Sequence, residues 1–584
     1  MKNFVLPSLC HHPLKTCFVG LGFSLIGGLL PLSAQDKSGE EATARSALPN
    51  IILCMTDDQG WGDTGFNGHP ILKTPHLDEM AAEGIRFTRF YAGAPVCTPT
   101  RASVVTGRHA TRYGMNNANR GHMKPQEVTL AEALREHGYA TGHFGKWHMG
   151  TLSKTDEGVH PARRNSQEED FSPPWENGFD TCFSVEAALA TWDSMVNPRF
   201  GMHYYTGPGE KVTDTDWMRG DSSRVMMDKA LPFIRDAVDA DKPFFAIIWF
   251  HTPHEPIASG GEYLEMYEDI TQEDHPGTDL KTQKHYYGCL TAMDEQMGRL
   301  RQELRELGVA ENTLLFFTSD NGPEGNLREE KKDRLFGSTA GLRGRKRSLF
   351  EGGIRVPSLM VWPAKFPEPK VIETPAFTSD YLPTVLSAAG VPLPSRPVPR
   401  DGIDFLPFVR GDVVERDQPM AFEYRNSVAL IDGPYKLIKP HSFGNPKFQH
   451  PSGYVFYDLP ATQQGRDALE PYEGGYELYN VVDDPQELHN IAEDHPDIVE
   501  HMKAILEQWQ QSCEQSANGE DYLTQGTTVE ARKGSGVVPF QAQFKVQGIK
   551  LPSLKLEPGD TLEFTENLAL PSLRSGRAAL GKIR

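Results

Sequence analysis

Three short runs in this chain are apolar on both faces: Ile51-Ile52-Leu53-Cys54-Met55, Phe244 to Phe250, and Leu314-Leu315-Phe316-Phe317. A strand with no polar alternation has to be covered on both sides, which points to a parallel strand lying between helix layers. Each run stops abruptly at polar residues: Asp57-Asp58, His251, and Asp320-Asn321. Ligands of open α/β sheets bind beyond the carboxyl ends of the strands. Carboxylates, an amide and an imidazole delivered by separate strands to the same kind of end make a site by arrangement, although any one alone would read as a solvated loop residue.

Helical patterns fill the gaps. Thr74-Pro75 reads as N-cap and first helical residue, with Leu77, Met80 and Ala81 on one face and Gly84 as the stop. Thr129 and Glu132 form a capping box for a helix ending at Gly138. Tyr286, Leu290, Met293, Met297, Leu300, Leu304 and Leu307 recur at spacings of four and three, the stripe of one helix packed on a sheet. After about residue 410 the texture changes. Candidate strands Ser427 to Ile431 and Tyr435 to Lys439 precede a stretch rich in Gly, Pro and Asp, and Pro496 opens a helix with Ile498, Met502, Ile505, Leu506 and Trp509 on one face.

A length of 584 residues calls for one large domain and something smaller. Residues 1–34 read as an export signal: Lys2 and Lys15, an apolar but glycine-broken Phe18 to Leu30, and Leu32-Ser33-Ala34 as cleavage site. Residues 35–48 are then a linker, 49–410 the catalytic domain, 411–515 a small α+β domain, and 516–584 an extension of opaque role. No other run is long enough to span a bilayer, so the expected product is exported, periplasmic or secreted, with no integral membrane anchor. The net charge of −20, from 59 basic and 79 acidic residues, argues against nucleic acid as a partner. Beyond the leader remain Cys54, Cys97, Cys182, Cys289 and Cys513, too few for a disulfide framework and without a zinc-type pair.

Cys97 has the most telling surroundings. Cys97-Thr98-Pro99-Thr100-Arg101 leads into Thr106-Gly107-Arg108, and Pro99 places the cysteine where a helix begins. Free N–H groups there favour an anion and would lower a thiol pKa, which fits a reactive cysteine or an anion site; an inert core cysteine is the plain alternative. Asp57, Asp58, Asp320 and Asn321 together form a hard oxygen set suited to Ca²⁺ or Mg²⁺.

The pentapeptide C-x-P-x-R with a following Gly-Arg resembles the signature of the sulfatase family, within the alkaline-phosphatase superfamily. Asp57-Asp58-Gln59-Gly60, Gly145-Lys146-Trp147-His148, His251-Thr252-Pro253-His254, Asp320-Asn321-Gly322, and Leu342 to Lys346 leading to Glu351-Gly352-Gly353 extend the resemblance in the family's order. Thr100 departs from the usual Ser or Ala. The resemblance implies an alkaline-phosphatase-like α/β fold, a mixed, mostly parallel sheet sandwiched by helices, with a smaller C-terminal α+β domain. It implies that a maturation enzyme oxidises Cys97 to formylglycine (3-oxoalanine). It also implies that Asp57, Asp58, Asp320, Asn321 and the modified Cys97 hold Ca²⁺, or Mg²⁺. The hydrated aldehyde would attack sulfur, with Arg101, Lys146 and Lys346 stabilising charge. His251 and Lys346 would protonate the leaving oxygen, and His148 would assist sulfate elimination. Lys146 and His148, two apart in an extended segment, would face the same way. His143 and His254 are left as satisfied histidines or, at most, substrate contacts.

The function this implies is hydrolysis of a sulfate ester, with a glycan as substrate and aryl sulfates as model substrates. Two rivals are a phosphonate or phosphate ester hydrolase using the same nucleophile, and a non-catalytic glycan-binding protein if Cys97 stays unmodified. A basic patch of Lys331, Lys332, Arg334, Arg343, Arg345 and Arg347 would offset the acidic chain near the cleft.

Overall fold

The computed structural model describes residues 48–274, 279–325, 336–395, 398–440 and 475–522, with six short strands between 531 and 562. Ten strands run through its first part: β1 (Asn50–Thr56), β2 (Ile85–Phe87), β3 (Phe90–Tyr91), β4 (Ala140–Lys146), β5 (Thr181–Val185), β6 (Phe244–Trp249), β7 (Thr313–Ser319), β8 (Ser358–Val361), β9 (Lys370–Ile372) and β10 (Ala376–Phe377). Eight form one sheet in the order β5-β4-β6-β1-β7-β8-β2-β9, while β3 and β10 pair separately. The five strands from β5 to β7 are mutually parallel; β8 runs antiparallel to β7 and β2. The three apolar runs are thus neighbours at the centre, with Ile52 opposite Ala246 and Leu315.

Their side chains divide between two cores by the period-two rule of a strand. Ile51, Leu53, Met55, Phe245, Ile247, Trp249, Leu314 and Phe316 point into one core; Ile52, Cys54, Phe244, Ala246, Ile248, Leu315 and Phe317 point into the other. Helices cover both. Along the chain these are α1 (Pro75–Glu83), α2 (Cys97–Thr106), α3 (Leu130–Glu136), α4 (Ser222–Asp239), α5 (Leu280–Glu306) and α6 (Tyr381–Ala388). The first core takes residues of α2, α3 and α6, and the second takes residues of α1, α4 and α5.

The helix ends follow the sequence with instructive differences. The capping box of α3 is complete, with Thr129 Oγ1 accepting from Glu132 N at 3.1 Å and Glu132 accepting from Thr129 N at 2.8 Å. Thr74 stands before α1 but does not cap it: its hydroxyl accepts from Gly65 N and donates to Asp78. The free N–H groups of His76 and Leu77 bond instead to the Asp294 carboxylate on α5, at 3.0 and 2.8 Å. A cap supplied by another helix leaves no local sequence signal.

The second part is a four-stranded antiparallel sheet of β11 (Met420–Tyr424), β12 (Ser427–Asp432), β13 (Tyr435–Lys439) and β14 (Glu477–Asn480). One face, with Leu430, Leu437 and Leu478, packs on Met502 and Leu506 of α7 (Pro496–Ala517). The other, with Ala429, Ile431 and Ile438, packs on Tyr91, Phe350 and Ile354 of the first part. Between 531 and 562 three nested antiparallel pairs join 531–532 to 561–562, 540–541 to 555–556 and 545–546 to 549–550. The proposed leader, and the proposed linker up to residue 47, lie outside the described residues. No helix among the described residues is long and apolar enough to cross a membrane.

Asp401 ties α7 to the large sheet unit. Its carboxylate accepts two bonds from Arg112, both at 2.8 Å, one from His109 N at 2.6 Å and one from Trp509 Nε1 at 2.7 Å. Burial disfavours its charge, but Arg112 and these donors hold its pKa down at about 2. A folded pKa below the ordinary carboxylate value gives stability that is present above about pH 4 and lost as pH falls towards 2. Asp401→Asn should cost about 3–5 kcal/mol near neutrality, because it leaves Arg112 buried beside a neutral group. The gap in unfolding free energy between wild type and variant, followed from pH 7 downward, should hold to about pH 4 and then narrow.

Candidate active site

The carboxyl ends of the central strands meet above the sheet. Asp57 and Asp58 follow β1, His251 to His254 follow β6, Asp320 and Asn321 follow β7, and Lys146 ends β4. Bonds from backbone N–H groups lace these ends together: Asp57 N donates to the Thr252 carbonyl at 2.9 Å, and Asp58 N to the Asp320 side chain, Oδ1, at 3.1 Å. Asp58 has φ of +71°, a left-handed conformation that turns the chain sharply off the strand. The segment after β7 abuts the Glu351-Gly352-Gly353 turn so closely that a Cβ on Gly322 would lie 2.0 Å from Gly352 O.

Three acids and three bases are buried together here. Arg101 donates to Asp320 Oδ2 from Nε at 3.0 Å and Nη2 at 2.6 Å, Lys146 Nζ lies 2.7 Å from Asp57 Oδ2, and Lys346 Nζ lies 2.5 and 2.6 Å from the Asp58 oxygens. Burial opposes ionisation of Asp57, yet Lys146, His254 and Arg101 hold it well below the usual carboxylate range. Burial and the Asp57 charge push Asp320 up to about 7, the behaviour of two carboxylates sharing one set of cations. Burial likewise works against Lys346, and Asp58 more than compensates, holding the ammonium well above its ordinary value.

Asn321 Nδ2 donates to Asp58 Oδ1 at 2.7 Å, which leaves Asn321 Oδ1 buried without a hydrogen bond, as is Asp57 Oδ1. Ligand atoms of Asp57, Asp58, Cys97 and His254 all lie within 4.8 Å of one another. Two orphaned oxygens beside carboxylates are what a hard cation would satisfy, so the donor set fits Ca²⁺ or Mg²⁺.

Cys97 is the first residue of α2, as its sequence context indicates, but its thiol is not activated. All of α2 is buried, and burial pushes the thiol up to about 12 while Lys146 and Lys346 pull less strongly the other way. The expected lowering by the helix terminus is overridden by desolvation.

The histidines sort differently from the sequence expectation. His251 is fully buried with Nε2 2.8 Å from Tyr204 OH. His254, three residues on, is folded back by a bond from its N–H to His251 O at 2.7 Å, and this puts its Nε2 3.7 Å from Asp58 Oδ2. Its Nδ1–H donates to Glu255 O at 2.7 Å. His148 does not continue β4 in extended form: its φ is +63°, so its ring turns to Asn119 Oδ1 at 2.6 Å while Lys146 reaches Asp57. His143 is a core residue, Nδ1 2.7 Å from Ser184 Oγ and edge-on to Trp147 and Trp249.

The expected basic patch is corrected too. Arg343 is buried, donating to Tyr479 OH and Glu487 O with its guanidinium 3.8 Å from the Phe350 ring centre, and Arg345 donates to the carbonyls of Glu324, Phe336 and Gly337. Both hold the fold, because long basic side chains can serve buried carbonyls as readily as solvent. Arg347 pairs with Glu324, which also lies 3.7 Å from Lys346. Lys331, Lys332 and Arg334 lie outside the described residues. Glu324 and Asn119 are site neighbours that the sequence did not single out; His254, left there as a satisfied histidine or at most a substrate contact, lies beside Asp58, and the turn-forming Thr252-Pro253 between two histidines was an available signal.

The sulfatase family model matches residues 49–391. Over 491 residues the chain is 31% identical to human arylsulfatase A, spanning 78% of this chain and 87% of that protein. It is 32% identical over 433 residues to the N-acetylgalactosamine-6-sulfatase of Canis lupus familiaris, spanning 70% and 74%. The crystal structure of Ps i-CgsB in complex with k-i-k-neocarrahexaose has the same fold, with a TM-score of 0.63 at 23% identity over 81% of this chain and 97% of that one. The protein is a sulfuric ester hydrolase by class. The chain belongs to the sulfatase family.

The burial of Cys97 predicts its reactivity before any modification. In protein made without formylglycine maturation, alkylation of Cys97 in the folded state should be at least about a hundredfold slower than in urea. Mass spectrometry of the tryptic peptide Phe90 to Arg101 reads this directly.

Proposed function

We propose that this chain is a formylglycine-dependent carbohydrate sulfatase, releasing inorganic sulfate from a glycan ester. The observation that carries the reading is the placement of Cys97 at the start of α2 among Asp57, Asp58 and His254, in a family member whose matched relatives act on sulfate esters. Cys97, once converted to formylglycine, would supply a hydrated aldehyde as the nucleophile. Asp57, Asp58, Asp320 and Asn321 would hold the divalent ion, Ca²⁺ by preference for an all-oxygen set, which supplies Lewis acidity toward the ester oxygens.

The chain's own residues then divide the work. Arg101, Lys146 and Lys346 form a preorganised cationic floor for charge developing on the sulfate oxygens, in a site from which water is largely excluded. His254, rather than His251, is the histidine we assign to the leaving oxygen, together with Lys346. Its Nδ1–H is fixed on Glu255 O, so Nε2 is the atom left to carry the transferred proton. His251, its Nε2 bonded to Tyr204 OH, supports that arrangement through its carbonyl, which accepts the His254 N–H. His148, fixed by Asn119, is assigned to the proton lost as sulfate departs. Residues 49–410 are proposed as the catalytic domain and 411–515 as its appendage, with export and an external maturation enzyme preceding activity.

The test is covalent. In protein from a host with formylglycine maturation, the peptide Phe90 to Arg101 should be lighter than coded, resist alkylation and react with hydrazides; active enzyme carrying only an alkylatable thiol there would overturn the mechanism. The two histidines separate by leaving group. His254→Ala should lower kcat about 10²–10⁴-fold on sugar sulfates and far less on activated aryl sulfates, whose leaving groups need little protonation. His251→Ala should lower both alike, and the reverse pattern would return the acid role to His251.

A further inference from the structure

Beside His254 the buried floor gives way to an accessible rim built on the segment Pro198 to Tyr204. Phe200 is 36% exposed and has φ of +58° and ψ of +15°, a left-handed conformation that bulky residues avoid. A singly exposed Phe is ordinary, but this one is held. Gly201 N donates to Pro198 O at 2.9 Å and Met202 N to Arg199 O at 3.1 Å, closing the turn. The turn sits so tightly on Gly158 that a Cβ there would lie 2.0 Å from Gly201 O. Beyond it Met202 is fully buried, and Tyr204 bonds to His251.

Arg199 stacks on the Phe200 ring, its guanidinium carbon 5.0 Å from the ring centre, and His160 meets the same ring edge-on at 5.0 Å. Arg199 Nη1 donates to Glu255 O at 3.3 Å, the same carbonyl that accepts from His254 Nδ1. The guanidinium therefore stands one carbonyl away from the histidine assigned to the leaving oxygen. No carboxylate pairs with it among the described residues, and its other donors have no partner there. His160 is tied to the site from the other side, its N–H donating to Glu186 Oε1 at 3.1 Å while His148 N donates to Glu186 O at 2.8 Å.

We infer that Arg199, Phe200 and His160 form a leaving-group subsite that takes a sugar bearing a second anionic group, carboxylate or sulfate, next to the ester that is cleaved. The inference rests on the sulfatase reading and deepens it. An aromatic ring offers a sugar its apolar face, and an unpaired guanidinium stacked on that ring offers an anion two parallel N–H donors. In a chain with a net charge of −20, a local unpaired cation is needed at the cleft to receive a multiply charged glycan.

The experiment compares 4-nitrophenyl sulfate with three sulfated disaccharides that differ only in the neighbouring sugar: neutral hexose, hexuronate or sulfated hexose. Wild type should favour the two anionic members, and their ranking identifies which anion is bound. Arg199→Ala should lower kcat/KM on the anionic members about 10- to 100-fold more than on the neutral one, mainly through KM; Arg199→Lys should recover part of the difference. Phe200→Ala should weaken all three disaccharides relative to the aryl ester. Equal losses for neutral and anionic disaccharides would overturn the subsite. If wild type releases sulfate from none of the four, the sulfatase reading fails by itself. Calorimetry with the desulfated hexuronate disaccharide then decides the subsite: binding lost in Arg199→Ala supports it, and no binding or no difference overturns it.

Discussion

Everything at this site depends on burying three carboxylates and three cations at the ends of parallel strands without leaving a bare charge. Transfer of each ion out of water costs several kcal/mol, and only close pairing offsets it. Arg101 with Asp320, Lys146 with Asp57 and Lys346 with Asp58 supply that pairing. That balance would let so acidic a pocket fold without a bound metal, which four oxygen donors without cations could not. A divalent ion held by these carboxylates, as proposed, would make the pocket cationic, and that excess charge would suit an anionic ester. Removing one base should therefore harm folding and turnover together, so loss of activity in such a variant is weak evidence of a chemical role.

The large-sheet unit and the four-stranded sheet are joined through polar contacts as well as apolar ones. Lys436 of β13 lies 3.0 Å from Glu351 and 2.9 Å from Glu487, all three buried, and Glu351 N donates to Glu487 at 2.8 Å. Glu351 opens the turn whose glycines press against the segment after β7. The second sheet thus buttresses the loop that carries Lys346, and its contribution to the site is placement.

Much of this was legible in the chain. The apolar runs of β1, β6 and β7 identified the centre of the sheet because a fully buried strand leaves no polar alternation, and the Thr129 capping box identified α3 because both partners lie within four residues. What stayed hidden depended on distant partners or on backbone turns. Asp294 caps α1 from another helix. His148 leaves the extended path at a positive φ, and His254 is folded back beneath His251. Arg343 and Arg345 look like surface charge until the carbonyls that they serve are known. Sequence periodicity reports burial well, but it says little about which of two nearby polar side chains turns inward.

The helix that begins at Cys97 has a consequence for the life history of the molecule. Cys97 is 2% exposed, and every other residue of α2 is buried as well. A second enzyme needs several residues of extended chain to grip a cysteine and its neighbours, and the finished fold presents none at this position. Chemistry performed on Cys97 by another protein therefore belongs to the interval between synthesis and folding. If Cys97 is converted by a maturation enzyme as proposed, the rate at which α2 docks would set how long that interval lasts, and a faster-folding chain would more often complete its fold with an unconverted thiol sealed inside.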